Sequence, residues 1–524
     1  MLRRTKIVST LGPSTDSAES IAAIIRAGVD ATRLNFSHGS AQEHINRAKR
    51  VREAASAQQR FVALLADLQG PKLRISGFRE NKVTLKAGQS FVLDATLAKD
   101  AGTNEQVGID YEQLVDDVTP GDVLVLDDGA IEMEVVSVGD NSITSRVLVG
   151  GVLSDNKGLN KRGGGLSANA LTAKDREDIV TAARLGADYV AVSFVRSGED
   201  LHTARRLLKE AGSEAGVVAK IERAELAHDE AALDAVIEAS DVVMVARGDL
   251  AVEIGDAELV GVQKHIIHRA RVLNRGVITA TQMMESMITS PMPTRAEVSD
   301  VANAVMDYTD AVMLSAETAV GDYPVEAVKS MVRICLGAEK HPTMGQSQHR
   351  IHEAMAHVDE AVALSAMYAA NHLEGVTAII CMTESGATPR LMSRIKSSLP
   401  IFAFSRHHAT QHRVALLRGV QTVPFDAFEI PNEKTNALAV QQLVRWGVVA
   451  EGDRVVITKG DYVNAQGGTN TMKIVRVGAD IQYAWSPPRL GATVTVAVPV
   501  WRRPAFCVHL VSHYLISAKP ISKE

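Results

Sequence analysis

Residues 217–222, Val-Val-Ala-Lys-Ile-Glu, and residues 242–249, Val-Val-Met-Val-Ala-Arg-Gly-Asp, decide the fold of this chain. Each is a short apolar run, rich in β-branched residues, that ends in charged side chains. A stretch with helical spacing separates the two. This alternation is typical of strand–helix units built around a parallel sheet.

Eight such units can be counted outward from this pair, three of them before a long interruption and five after it. Eight is the count of a closed (β/α)8 barrel, a TIM barrel, whose active site lies at the carboxyl ends of its strands. We therefore assign residues 1–70 and 167–342 to such a barrel. The predicted strands are Thr5–Ser9, Ala31–Phe36, Phe61–Asp67, Tyr189–Phe194, Val217–Ile221, Val242–Ala246, Val277–Ala280 and Ala311–Leu314.

The interruption, residues 71–166, has no helical periodicity. Short alternating runs such as Gln89–Leu93 and Ile131–Val136 are separated there by Gly, Asp and Asn, which predicts an inserted small all-β domain. Gly163, Gly164 and Gly165 at its return are interpreted as a hinge rather than a phosphate cradle.

A second α/β series occupies residues 343–478 and predicts an open, mostly parallel sheet. Its expected strands lie near Val376–Met382, Ile401–Phe404, Gln421–Pro424, Arg454–Thr458 and Met472–Val477. The last segment, residues 479–524, differs in composition and pattern from the preceding units: it contains Trp485 and Trp501 and shows no helix caps. We assign this tail no function.

Composition excludes several function classes. The 524 residues are 46% hydrophobic and 23% charged, and the formal net charge of -6 argues against nucleic-acid or membrane-surface partners. Cys335, Cys381 and Cys507 form no C-x-x-C spacing, which argues against a disulfide scaffold or a cysteine zinc site. The sequence shows neither a signal peptide nor an apolar run of roughly 18 residues, so we expect a cytoplasmic protein.

Polar residues cluster just after the predicted barrel strands. Because parallel strands end at one rim, these side chains are expected to meet in a single site at the mouth of the barrel. They are Arg33, Asn35, Ser37, His38, Asp67, Lys220, Glu222, Arg247, Gly248, Asp249, Thr281, Ser315 and Glu317.

Lys220, Glu222 and Asp249 form the centre of this predicted site. Residues two apart on a strand share a face, so Lys220 and Glu222 point the same way, and Asp249 follows the next strand. Two carboxylates with open positions beside them suit a hard cation such as Mg2+. The alternative is an ordinary buried salt bridge between Lys220 and Glu222.

The predicted mouth is also rich in positive charge. Phosphoryl transfer depends mainly on positioning and electrostatic stabilisation, which Lys220, Arg33, Arg74 and a metal would supply. Gly248 would let backbone N–H groups approach a carboxylate closely, although a tight turn also explains a glycine there. The chain has no Walker motif and no convincing G-x-G-x-x-G, which disfavours a P-loop kinase or a dinucleotide dehydrogenase.

Taken in order, these motifs resemble the signatures of the pyruvate kinase family, from about residue 3 to residue 478. Residues 154–167, Ser-Asp-Asn-Lys-Gly-Leu-Asn-Lys-Arg-Gly-Gly-Gly-Leu-Ser, are similar to the bacterial type II branch. The motifs are Lys6-Ile-Val-Ser-Thr-Leu-Gly-Pro13, Arg33-Leu-Asn-Phe-Ser-His-Gly39, Asp67-Leu-Gln-Gly-Pro-Lys-Leu-Arg74, Lys220-Ile-Glu222, Arg247-Gly-Asp-Leu-Ala251, Ala280-Thr-Gln-Met283 and Met313-Leu-Ser-Ala-Glu-Thr-Ala319.

The resemblance implies phosphoryl transfer from phosphoenolpyruvate to ADP, giving pyruvate and ATP. It also implies that the insertion is a small β-barrel lid domain, that the C-terminal domain is regulatory, and that the protein is a homotetramer. Lys220 would stabilise the moving phosphoryl group and Arg33 would bind the substrate phosphate. Glu222 and Asp249 would hold Mg2+ or Mn2+, and Gly248 and Thr281 would bind the substrate carboxylate. We expect the enolate to be protonated through hydroxyls near Thr281 and Ser315, supported by Glu317.

The resemblance further assigns a nucleotide site and a monovalent-cation position. The nucleotide would face Asn35, His38, Arg74 and Lys157, and the cation position would be formed by Asn35, Ser37, Asp67 and Leu68. Members of the family that depend on K+ carry Glu where this chain has Lys72, and Thr where it has Leu68. A lysine ammonium can supply one compact positive charge, so we expect that K+ is not required. The alternative is that Lys72 is a solvated hinge lysine.

An effector site is expected in the C-terminal domain, between a strand and a helix. Its candidate residues are Thr383, Ser385, Gly386 and Thr388, because hydroxyls and free N–H groups at a helix start can bind phosphate. The type II resemblance suggests a sugar monophosphate or AMP. A helix cap and a tight turn would explain Thr383 or Ser385 singly.

Two other function classes remain open at this stage. One is a Mg2+-dependent barrel that handles enolates, such as an aldolase or lyase acting on pyruvate, although it would not need Arg74 and Lys157 for a nucleotide. ADP-dependent pyruvate formation discriminates against it. The other is a non-catalytic binding protein, which would be stabilised by substrate without turning it over.

Overall fold

The computed structural model describes residues 2–345, 347, 349–461 and 468–480. Its largest unit is a closed barrel of eight parallel strands, in which the first strand pairs with both the second and the eighth. The predicted (β/α)8 barrel is therefore confirmed. Its strands, numbered one to eight along the chain, are Lys6–Leu11, Ala31–Asn35, Ala63–Asp67, Tyr189–Val192, Gly216–Ile221, Val242–Ala246, Gly276–Ala280 and Ala311–Leu314.

The fifth strand shows how the strand periodicity builds this barrel. Val217, Ala219 and Ile221 pack outward against the surrounding helices, whereas Val218 belongs to the core inside the barrel. Because side chains alternate along a strand, Lys220 shares the inward face with Val218 and lies above it. The inward face of this strand thus contributes Val218 to the apolar barrel interior and Lys220 to the mouth.

Helices cover the outside of the barrel, and several begin with reciprocal caps. Ser40 and Glu43, Thr172 and Asp175, and Thr294 and Glu297 exchange side-chain and backbone hydrogen bonds at three helix starts. The α-helices of this unit are Ala18–Ala27, Ala41–Ala57, Ala173–Arg184, Gly198–Glu210, Ala224–His228, Glu230–Ala239, Arg247–Ile254, Asp256–Val272, Arg295–Met306, Ala316–Ala319 and Pro324–Ala338.

The insertion is all-β, as predicted, apart from two short helical segments, Leu114–Asp117 and Asp127–Gly129. Its strands form a six-stranded sheet and a two-stranded ribbon. They enclose a core of their own, to which Phe91, Leu124 and Ile143 belong. The strands are Lys82–Leu85, Ser90–Asp94, Gln106–Gly108, Val123–Leu126, Ile131–Val138, Ser142–Val149, Gly151–Ser154 and Leu159–Lys161.

The C-terminal unit has the predicted open, mostly parallel sheet, and among its described strands only the last is antiparallel. Its strands are Val376–Met382, Ile401–Ser405, Val420–Pro424, Arg454–Gly460 and Thr469–Arg476, and its helices are Val358–His372, Ala387–Ser393, His408–Val414 and Asn432–Arg445. Residues 481–524 of the tail lie outside the described residues. No helix in the described part of the chain is long and apolar enough to cross a membrane.

Buried ion pairs join the C-terminal unit to the barrel. Arg394 directly follows the helix Ala387–Ser393 and pairs with Asp310, and these two side chains are only 1% and 2% exposed. Asp310 also accepts a hydrogen bond from the backbone N–H of Arg418, at 2.9 Å. Since Asp310 directly precedes the eighth strand, this contact lies at the amino-terminal ends of the barrel strands, opposite the mouth.

Candidate active site

Lys220 lies at the centre of the barrel mouth. Its Nζ is 2.8 Å from Glu222 Oε1 and 3.5 Å from Asp67 Oδ1. The ammonium also donates a hydrogen bond of 2.7 Å to Ser193 Oγ. The structure thus brings together the polar ends of the third, fourth and fifth strands, and the buried Lys220–Glu222 salt bridge is formed.

The protonation states of this cluster follow from burial and from its charges. Burial by itself lowers the pKa of Lys220, but the carboxylates of Asp67 and Glu222 act in the opposite direction, and the net pKa is raised. Burial by itself raises the pKa of Asp67, but Lys220 and Arg33 bring it below its usual value. At neutral pH, Lys220 is therefore a permanent cation and Asp67 a permanent anion.

Arg33 extends the positive charge to the second strand. Its Nε donates to Asp67 Oδ2 at 2.6 Å, and its Nη1 donates to Thr10 Oγ1 at 3.2 Å. The Arg33 side chain is 12% exposed, so it is held in place yet open to the mouth. One carboxylate, Asp67, thus orients two cations that a phosphate group could meet together.

Glu222 and Asp249 fit a divalent cation. Burial raises the pKa of both carboxyl groups, and the negative charge of Asp249 raises that of Glu222 further. A buried and a half-buried carboxyl that repel each other form an environment that a divalent cation neutralises. Among the described residues there is no group of three or more His, Cys, Asp or Glu side chains that could hold a metal. Two carboxylates supplemented by substrate oxygens and water are a usual arrangement for Mg2+.

The loops after the sixth and seventh strands meet at Thr281 and Gly248. The Gly248 N–H donates to Thr281 Oγ1 at 2.8 Å. Thr281 and Gln282 both have left-handed backbones, with φ of 65° and 55°, which is a costly conformation often found at functional sites. Arg247 stabilises this turn, because its guanidinium donates to Thr281 O at 2.7 Å and pairs with Asp300 at 2.7 Å.

Glu317 connects the loops after the seventh and eighth strands. Its two carboxylate oxygens accept from the backbone N–H groups of Ser315, at 2.7 Å, and Met284, at 3.1 Å. Burial raises the pKa of Glu317. Ser315 Oγ is buried and has no hydrogen-bond partner among the described residues. This hydroxyl therefore lacks a partner that a bound water or substrate could supply.

The predicted cation position is already rich in internal contacts. Asn35 Oδ1 accepts from the Ser37 N–H at 3.1 Å, and Leu68 O accepts from Ser193 Oγ at 2.8 Å. Asp67, the charged member of the set, is neutralised by Arg33 and Lys220. Lys72 is exposed at the rim and makes no ion pair within the described part of the chain.

The predicted nucleotide residues are divided between the barrel and the insertion. Partial burial lowers the pKa of His38, and the positive charges of Lys72, Arg74 and Arg33 lower it further, so these four residues share one region of the mouth. Lys157 lies on the insertion and pairs with Asp127 at 2.7 Å. A phosphate that binds Lys157 would therefore compete with that carboxylate.

A separate cavity of about 320 Å3 opens in the C-terminal unit. Thr383, Ser385 and Thr388 line it, together with Arg406 and Lys459, whereas Gly386 does not. The predicted hydroxyls also have local partners. Thr383 Oγ1 accepts from the Gly386 N–H at 2.9 Å, and Thr388 Oγ1 lies 2.7 Å from Thr469 Oγ1. The helix that follows is only seven residues long, so the side chains carry more of any anion binding than its dipole.

Two contributors were not assigned roles from the sequence. Ser193 contacts Lys220 from directly after the fourth strand, whereas the predicted strand, Tyr189–Phe194, had included it. Arg247 lies inside a motif that was singled out, but only the structure shows that it holds the Thr281 turn.

Comparison with known proteins agrees with this geometry. Residues 2–328 match the family model "Pyruvate kinase, barrel domain", and residues 360–475 match "Pyruvate kinase, alpha/beta domain". The chain is 59% identical to pyruvate kinase II of Salmonella typhimurium over 476 residues, which are 91% of this chain and 99% of that protein. It is 56% identical to the pyruvate kinase of Haemophilus influenzae over 470 residues, covering 90% and 97% of the two chains.

A solved structure gives the same result. The crystal structure of a pyruvate kinase from Cryptosporidium parvum superimposes with a TM-score of 0.84 at 34% identity, covering 90% of this chain and 96% of that one. The Salmonella match also supports the resemblance to the bacterial type II branch. The chain therefore belongs to the pyruvate kinase family of phosphotransferases.

Proposed function

We propose that this chain transfers the phosphoryl group of phosphoenolpyruvate to ADP through the residues of the barrel mouth. The observation that carries the proposal is the shared carboxylate of Asp67, which holds Lys220 and Arg33 as two fixed cations beside the carboxyls of Glu222 and Asp249. The test is a coupled assay in which pyruvate forms from phosphoenolpyruvate only when ADP is present. Pyruvate release that does not depend on ADP would contradict the proposal and favour a lyase.

Lys220 and Arg33 act as electrostatic stabilisers of the moving phosphoryl group. Charge builds on its oxygens during transfer, and prepositioned cations stabilise that charge without reorganising. The raised pKa of Lys220 keeps the side chain charged, so it suits electrostatic stabilisation of the phosphoryl group better than proton donation to the enolate. Arg33, oriented by Asp67, binds the phosphate before and during transfer.

Glu222 and Asp249 would hold Mg2+ or Mn2+, since Glu222 is buried, Asp249 is half-buried, and both carboxyls interact with the charge of Lys220. When bound, such a cation supplies Lewis-acid neutralisation of substrate oxygens. Gly248 and Thr281 are proposed to receive the substrate carboxylate, supported by their contact at 2.8 Å and by the strained Thr281 turn.

The enolate left after transfer must take up a proton to become pyruvate. We place this step near Thr281 and Ser315, where the unpartnered buried hydroxyl of Ser315 can hold a water or donate directly. The Glu317 carboxylate accepts a hydrogen bond from the backbone N–H of Ser315 and so positions that residue. Its raised pKa suits Glu317 to exchange a proton with the Ser315 hydroxyl or a water bound there.

Replacing Glu222 with glutamine tests the metal assignment. The amide keeps the shape but removes one of two anionic ligands, so the Mg2+ concentration for half-maximal activity is expected to rise at least tenfold, about 1.4 kcal/mol of binding. The measurement is a Mg2+ titration of the coupled assay, with Glu230→Gln on an exposed helix as the control. An unchanged titration would place the metal elsewhere.

The nucleotide is proposed to lie between Asn35 and His38 on the barrel and Arg74 and Lys157 towards the insertion, with the insertion acting as a lid. Lid closure would exclude water from the transfer step. For the cation position we propose that Lys72 replaces K+, supported by the interaction of its positive charge with Asp249 at the mouth. Asn35, Ser37, Asp67 and Leu68 would then need no metal ion.

The cavity of the C-terminal unit is proposed to bind an activating phosphorylated metabolite, a sugar monophosphate or AMP. Support comes from the hydroxyls of Thr383, Ser385 and Thr388 beside Arg406 and Lys459 in one 320 Å3 space. Ser385→Glu places a carboxylate against the ligand phosphate and is expected to abolish activation by AMP or glucose 6-phosphate. Activation curves measure this, with Ser398→Glu, exposed in the same unit but away from the cavity, as control. An unaltered curve in Ser385→Glu would relocate the site.

The remaining assignments complete the proposal. Residues 1–70 with 167–342, 71–166 and 343–478 are proposed as the catalytic, lid and regulatory domains of a cytoplasmic homotetramer. Light scattering of the purified protein measures its assembly state, and a mass of one or two chains would contradict the tetramer.

A further inference from the structure

The second connection between the insertion and the barrel is held by barrel residues, chiefly by the side chains of Arg223 and Glu225, which follow the fifth strand. Residues 163–167, here called the hinge segment, begin with three glycines at φ of 81°, 76° and 90°. Such a run is intrinsically permissive. In the folded protein, however, four backbone groups of the hinge segment are bound by barrel residues.

Arg223 and Glu225 provide the central contacts. Arg223 Nη2 donates to Leu166 O at 2.6 Å and pairs with Glu225 Oε1 at 2.8 Å. The same Glu225 oxygen accepts from the Gly165 N–H at 2.6 Å. A Cβ at position 164 would lie 2.3 Å from Glu225 Oε2, so any larger residue there would push this carboxylate away from the hinge segment.

These contacts join two separate cores. Leu166 is 5% exposed and packs in the hydrophobic core of the insertion. The Arg223 side chain is 4% exposed and directly follows Glu222. The end of the fifth strand and the residues that follow it therefore contact both regions: Lys220 and Glu222 face the mouth, and Arg223 and Glu225 hold the hinge segment.

The electrostatics keep this pair ionised. Burial by itself raises the pKa of Glu225, but its hydrogen bonds and charge pairing with Arg223 bring the net pKa below the usual range. Additional backbone contacts brace the segment at either end. Gly163 N donates to Glu253 O at 2.9 Å, and Arg196 Nη1 donates to Ser167 O at 2.7 Å.

We propose that Arg223 and Glu225 are positioning residues that set the orientation of the insertion over the nucleotide, acting through the hinge segment. The inference rests on the proposed placement of ADP between the barrel and the insertion. Phosphoenolpyruvate is placed on barrel residues alone, so loosening the hinge segment weakens productive nucleotide binding and leaves phosphoenolpyruvate binding nearly unchanged. A merely structural role would affect both substrates or neither.

Glu225→Gln is the test variant, because it removes the charge while keeping the side-chain shape. We expect the KM for ADP to rise about tenfold and the KM for phosphoenolpyruvate to stay within twofold. Amide hydrogen exchange in residues 163–167 is expected to speed up by at least tenfold. The matched control is Glu210→Gln, which breaks the exposed 2.8 Å pair with Arg206 on the neighbouring helix Gly198–Glu210 and should change neither quantity.

Arg223→Lys provides a second, conservative variant. A lysine ammonium can still pair with Glu225, but it lacks the planar guanidinium with which Arg223 also contacts Leu166 O. An intermediate rise in the KM for ADP is therefore expected. An equal rise in both KM values, a KM for ADP within twofold of the parent, or unchanged exchange in the hinge segment would each overturn the inference. Amide hydrogen exchange measures the stability of the hinge segment directly and does not require the protein to be catalytically active. Failure of this inference is thus distinguishable from failure of the proposed reaction, which the unsubstituted protein tests by itself.

Discussion

Replacing Lys220 with methionine is expected to lower kcat at least a thousandfold, about 4 kcal/mol of transition-state stabilisation. The ammonium lies 2.8 Å from Glu222 and 3.5 Å from Asp67, and we propose that the phosphoryl group passes beside it. Methionine has similar length and no charge, so it removes an interaction that strengthens as negative charge develops during transfer. Both kcat and kcat/KM should therefore fall together.

The folded state should survive this substitution. Asp67 keeps its 2.6 Å contact with Arg33, and Glu222, whose pKa is already raised by burial, can take up a proton when its cation is removed. Circular dichroism and Tm check the fold, while the coupled assay gives kcat. Lys329→Met, at an exposed helix position, is the control. A variant that keeps more than about a tenth of kcat, a barrier change below ~1.4 kcal/mol, would refute the assigned role.

The second large effect is expected at Lys72. In tetramethylammonium or Na+ buffers the unsubstituted enzyme should reach full activity without K+, whereas Lys72→Glu should lose most activity and recover part of it only when K+ is supplied. The lysine charge acts on Asp249 at the mouth, and its own pKa is lowered by partial desolvation and by the neighbouring charge of Arg74. Reversing the charge leaves a negative site that a monovalent cation can fill.

The control for this experiment is Lys86→Glu, which makes the same charge change at an exposed position of the insertion. It separates a local effect at the cation position from a general change in net charge. A tenfold or greater activation of the unsubstituted enzyme by K+, about 1.4 kcal/mol of barrier, would show that Lys72 does not replace the ion.

Most of the barrel could be predicted because its strands are short, apolar and regularly spaced. The sixth and eighth strands have the predicted bounds, Val242–Ala246 and Ala311–Leu314. The fourth strand was predicted to reach Phe194 but ends at Val192. Phe194 has a positive φ of 53°, and its N–H donates to Glu222 Oε2 at 2.7 Å. The local apolar pattern therefore predicts a longer fourth strand, whereas in the folded protein the contact between Phe194 and Glu222 follows the end of the strand at Val192.

The amino-acid sequence by itself determined the order of the units, the strand ends that carry polar groups, and the shared face of Lys220 and Glu222, because these depend on periodicities of two and 3.6 residues. Tertiary structure alone decided which distant groups meet. Asp67 orients both Arg33 and Lys220, and Arg223 reaches Leu166 in another domain's core. It also decided the charge states, since burial and neighbouring charges, which shift the pKa values, exist only once the chain has folded.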